Sequence, residues 1–92
     1  MKLHVLKIED KFYEAVLDDK KRFEVRFNDR DYQVNDLIHF VNVNGEEFSK
    51  GNEYYESAVW RIEYILKAED FPDGLQKGYV VLALTRLTGH DK

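Results

Sequence analysis

Arg22-Phe23-Glu24-Val25-Arg26-Phe27-Asn28 alternates without a break between apolar and polar residues. Phe23, Val25 and Phe27 share one face, while Arg22, Glu24, Arg26 and Asn28 share the other, the period of a β-strand. The apolar face is expected to enter a core, which leaves the charged face for a ligand. Lys20 and Lys21 lead into this strand, and Asn28-Asp29-Arg30-Asp31 follows it as a turn by composition.

Working upstream, Phe12, Ala15 and Val16 recur at i, i+3 and i+4, with Tyr13 and Leu17 beside them. This spacing predicts a short amphipathic helix over residues 9–17, with Glu9 and Asp10 at its N-terminus and its end at Asp18-Asp19. His4 to Ile8 reads as a first strand. Downstream, Val34-Asn35-Asp36 is a turn, and Leu37 to Val43 a strand closed by the hairpin signal Asn44-Gly45. Glu46 to Glu56 is polar and reads as a partly ordered loop with room for a short strand. Ala58 to Leu66 is a long strand with Trp60, Ile62 and Tyr64 on one face. A helical turn is possible near Leu75, ahead of the almost wholly apolar strand Tyr79 to Leu84, which is expected to be covered on both sides. The tail from Thr88 to Lys92 is expected to fray.

Five short strands with one early helix suggest a small closed or half-closed barrel, an α+β fold. At 92 residues the chain supports a single domain over residues 1–92. Hydrophobic residues make up 43 % of it and aromatic residues 14 %, enough for a packed core. The absence of cysteine excludes disulfide frameworks, thiolate metal sites and cysteine nucleophiles. No apolar run has the length of a membrane span, and no signal peptide is visible, so a cytoplasmic location is expected. The net charge of −4 argues against tracking of long duplex DNA and for a local site. His4, His39 and His90 have no ligand spacing; no metal or other cofactor is expected.

Lys20-Lys21-Arg22-Phe23-Glu24-Val25-Arg26, Asn28-Asp29-Arg30-Asp31-Tyr32 and Val34-Asn35-Asp36-Leu37 together resemble the ASCH-like domains of bacteria and phages, within the PUA-like superfamily. In particular they resemble a small ASCH-related family of unknown function with the pattern G-K-K-x-h-E-h-R-x-N-D-R-x-h-x-V-G-D, where h is apolar. Tyr64-Ile65-Leu66 and Gly74 to Leu82 are similar to that family's closing strands. Two glycines of the pattern are replaced, by Asp19 and by Asn35, both residues that tolerate a left-handed backbone. The resemblance implies a PUA-like mixed β-barrel and an association with RNA. One compact ASCH protein is an amidohydrolase acting on acetylated cytidine through a Lys-x-x-Thr-x-Arg pattern. Lys21 and Arg26 match it, but Glu24 stands where the hydroxyl would be.

Lys21, Glu24 and Arg26 are therefore the sharpest candidates, with Asn28, Asp29 and Arg30 at the rim. A carboxylate between cations can accept from a nucleobase edge while Arg26 grips a phosphate or carbonyl in bidentate fashion. Were the protein an enzyme, Lys21 and Glu24 would be the catalytic pair. Tyr32, Tyr54, Tyr55 and Trp60 can stack on unpaired bases, although Trp60 suits a core better. Three functions follow: an RNA- or nucleotide-binding module, a small hydrolase of a modified nucleoside, or a protein-interaction accessory domain whose charged strand face is merely solvated. The oligomeric state is not legible.

Overall fold

The computed structural model describes residues 1–48 and 58–88. Within them the order is β1 (Leu3–Lys7), α1 (Asp10–Leu17), β2 (Phe23–Phe27), β3 (Leu37–Val41), β4 (Val59–Lys67) and β5 (Tyr79–Thr88), with a 3-10 turn at Ala68–Asp70. A hydrogen-bonded turn follows it where one was expected, with Leu75 N–H donating to the Phe71 carbonyl at 2.9 Å. The strands form one mixed sheet in the order β1-β3-β4-β5-β2, parallel between β1 and β3 and antiparallel elsewhere. It curls into a half-barrel with β1 and β2 as its edges.

The helix plugs the concave side. Tyr13, Val16 and Leu17 are buried, whereas Phe12 is turned outward, so the packed face is rotated from the one the spacing suggested. Tyr13 stacks on Phe48 at 3.8 Å and meets Phe40 and Trp60 edge-on at 6.2 and 6.1 Å. Leu6, Ile38, Ile62, Leu82 and Leu84 complete the core from four strands. Trp60 belongs to this core, and so does Tyr32, which therefore offers no stacking surface. Tyr54, Tyr55 and His90 lie outside the described residues.

Left-handed backbone sets the turns. Asp19 has φ 59°, Asp31 φ 51° and Asn35 φ 79°. At Asp19 the helix ends in a Schellman motif, with Asp19 N–H donating to the Val16 carbonyl (3.1 Å) and Lys20 N–H to that of Ala15 (2.9 Å). A carboxylate there also opposes the helix dipole. Asp19→Gly is expected to raise stability by about 0.5–1 kcal/mol, read by urea unfolding. An unchanged or lower midpoint would count against this account. Arg86 supplies the positive partner of the same helix end: its NH1 donates to the Leu17 carbonyl at 2.6 Å while the guanidinium lies 5.7 Å from the Trp60 ring.

Three of the expected strand faces are corrected: β5 is covered on one side only, with Val80, Leu82 and Leu84 buried and Tyr79, Val81 and Ala83 partly exposed. In β4 a register shift between Ile62 and Tyr64 makes Glu63 an extra residue. The bulge carries Tyr64 to the outside and brings Ile65 against the core. In β2 the whole face is inverted. Phe23, Val25 and Phe27 are 47 %, 49 % and 54 % exposed, while Glu24 is only 6 % exposed. The apolar side of the decisive strand faces outward, and its carboxylate goes in.

Candidate functional site

Antiparallel pairing aligns Glu24 with Leu82 and Arg26 with Val80, and the β5 partners are both core residues. Glu24 and Arg26 thus point into the concave side. A lone carboxylate there would be costly, so its burial depends on partners. Lys21 Nζ donates to Glu24 Oε1, and Arg26 donates to Oε2 through Nε (2.9 Å), with its NH2 in ion-pair contact with the same oxygen at 2.8 Å. Each carboxylate oxygen has its own cation. Lys21 Nζ also donates to the Phe23 carbonyl at 2.7 Å and lies 5.0 Å from the Phe23 ring and 5.7 Å from that of Phe12.

These three side chains line one cleft of about 880 Å3, which runs along the free edge of β2. Its other walls come from Lys7 to Glu9, Phe12, Lys20, Val43 and Tyr79, and from the edge residues Phe23, Val25 and Phe27 of β2. The walls carry four cations (Lys7, Lys20, Lys21, Arg26) against two acids (Glu9, Glu24). The cleft is therefore net positive on a chain whose formal charge is −4.

The remaining expected site residues, in the turn after β2, do not line this cleft. Asn28 Oδ1 accepts the Tyr32 N–H at 3.1 Å, and Asp29 is exposed. Arg30 NH1 donates to the Val5 carbonyl at 3.0 Å. Arg26 NH2 makes the matching bond to the Lys7 carbonyl at 2.6 Å. Leu37 N–H bonds the Lys2 carbonyl and Ile8 N–H donates to Val41, so on β1 the even-numbered residues face β3, and Val5 and Lys7 direct their peptide groups outward. Two guanidiniums thus stitch the open edge of β1 to the β2 side, closing a seam that no backbone ladder crosses.

A second buried polar cluster escaped the sequence reading. Asp36 accepts from His4 Nε2 (2.8 Å) and from the backbone N–H groups of Lys2 (3.0 Å) and Gln33 (3.1 Å). Burial alone would raise its pKa; the His4 bond and the two N–H bonds outweigh that, and the carboxyl sits below the usual Asp range. Beside it, the Tyr32 ring meets the His4 ring edge-on at 4.8 Å. Burial pushes the Tyr32 phenol up, with Arg26 and Arg30 pulling the other way. Its partners span 34 residues of sequence, and only the turn-forming Asn35-Asp36 hinted at one of them. The cluster anchors β1 to the turn before β3.

No group of three or more His, Asp or Glu placed to hold a metal occurs among the described residues, and none of their helices is long and apolar enough to cross a membrane. Fold and site together define a small α+β domain on a half-barrel sheet, with a charged cleft at the open seam. The chain belongs to the family described as Domain of unknown function (DUF3850), whose model matches residues 3–84. Its fold is similar to that in the crystal structure of hypothetical protein PH0355, at TM-score 0.58 and 15 % identity, over 95 % of this chain and 100 % of that one. At that identity the likeness concerns the fold alone. No curated protein matches the sequence.

Proposed function

We propose that this chain is an ASCH-like domain of the PUA-like class that binds a nucleotide or a short single-stranded RNA segment in the β2 cleft. The observation that carries this reading is the convergence of Lys21, Glu24 and Arg26 in one net-positive cleft beside exposed aromatic rings. Lys7, Lys20 and Lys21 suit phosphate oxygens. Phe12, Phe23 and Phe27 offer faces for a base. Glu24 Oε1 is bonded to Lys21 and keeps lone-pair capacity beyond that bond, so it can also accept from an exocyclic amine.

Fluorescence titration of short labelled RNAs and nucleotides at low salt tests the proposal. Affinity is expected to fall as salt rises, with a slope of a few released ions, and to drop about tenfold or more in Lys20→Ala/Lys7→Ala, whose side chains are less engaged in the fold. A broad panel without binding at low salt would end the proposal.

A hydrolase is the second reading, favoured by the direct Lys21–Glu24 contact, which places a proton donor against a carboxylate. Incubation with acylated nucleosides and mass analysis of products tests it. Turnover that survives both Lys21→Ala and Glu24→Ala would exclude this pair.

A further inference from the structure

The inverted face of β2 continues across the sheet. Register places Phe23 beside Ala83 and Tyr64 in one row, Val25 beside Val81 and Leu66 in the next, and Phe27 beside Tyr79 in a third. In β5 the alternate residues Val80, Leu82 and Leu84 are buried, so Tyr79, Val81 and Ala83 belong to the outer face. The result is an apolar outer surface spanning three strands. Phe23, Val25, Phe27 and Tyr64 alone keep 47 %, 49 %, 54 % and 61 % of their surface in water, roughly 400 Å2. The partly exposed Leu66, Tyr79, Val81 and Ala83 extend it toward about 600 Å2.

We infer that this outer face of β2-β5-β4 is the interface of a homodimer, with a second copy of the chain as its occupant. Area is the first reason. Two such patches remove about 1,200 Å2 from water, the lower bound of a stable, specific interface, and each patch lies at the top of the range that a monomer leaves exposed, where such patches are often functional. Self-complementarity is the second. No charged side chain stands in the three rows, so the surface that fits it must be equally apolar, and its own copy is such a surface across a twofold axis. Two sheets pack in this way about 10 Å apart with interleaved side chains. At the rim, Arg61 and Glu63 are paired with one another (Nε to Oε2, 3.0 Å), so that flank carries no unbalanced charge toward its copy.

Phe23, Val25, Phe27 and Tyr79 also line the β2 cleft, so a ligand seated there competes with the dimer for them; Tyr64 and Leu66 do not, and changes at those two positions separate this inference from the proposed ligand site. Light scattering coupled to size exclusion should give twice the 11.0 kDa chain mass for the wild type at about 100 μM. Tyr64→Lys places like charges across the axis on an exposed position; its dimer dissociation constant should rise at least tenfold with an unchanged circular dichroism spectrum. Leu66→Lys is the second probe of the same face. Single-chain mass for the wild type up to about 500 μM would overturn the inference. So would a dimer that persists unweakened in both folded variants, since it would use another surface.

Discussion

Asp36→Ala is expected to lower the unfolding free energy by about 3 kcal/mol, a fall in Tm of roughly 12–24 °C for a chain this size. The substitution removes three hydrogen bonds at once and leaves the buried His4 ring facing a void where its acceptor stood. It also frees the N-terminal strand from the turn that precedes β3. The same carboxylate gives an acid dependence with a definite sign. Its pKa is lower in the folded chain than in the unfolded one, so the folded state binds the proton more weakly. The stabilisation is complete above about pH 4 and is lost as pH falls through the folded pKa. Asp36→Asn removes this titration, so its stability should change less between about pH 5 and pH 3 than that of the wild type. Thermal unfolding across that range checks both points; parallel pH profiles would refute the assignment.

Arg26→Ala should cost about 2–3 kcal/mol, below the usual penalty for breaking a fully buried pair because Lys21 still serves the other Glu24 oxygen. The loss is expected to be local as well as global. Arg26 also holds the Lys7 carbonyl, so β1 should loosen at its edge. Hydrogen exchange at the Leu6 and Ile8 amides should accelerate more than exchange at those of β4. Arg26→Lys keeps the charge but cannot fork between carboxylate and carbonyl, and should fall between wild type and alanine. Equal acceleration over the whole sheet would show that the seam is no separate element.

The strands, the helix and the two left-handed turns were legible because each is written locally. Alternation marks a strand, and Asp19 and Asn35 stand where glycine would. Which face of β2 turns inward was not legible. Period-two alternation specifies two faces and says nothing about which is covered. The usual inference from polarity failed because Glu24 enters with its counter-charges, Lys21 three residues before it and Arg26 two after. That spacing was visible in the sequence, and it signals a carboxylate able to be buried. Tyr64 was assigned to the wrong face for another reason: the Glu63 bulge depends on β5, which strand periodicity cannot register. The His4–Asp36 contact and the reach of Arg30 to Val5 join residues 32 and 25 positions apart and leave no local trace.

The guanidinium stitches have a bearing on how this chain behaves in a crowded solution. An unprotected strand edge recruits other chains because it offers donors and acceptors in alternation, and an added strand uses both. On β1 the Val5 and Lys7 acceptors are already taken by Arg30 and Arg26. An incoming strand would find half of its bonds refused and a positive field in their place. The chain carries a broad apolar surface on the other side of its sheet, where exclusion by charge is absent. Loss of these two arginines should therefore promote fibrillar aggregation seeded at the loosened edge of β1.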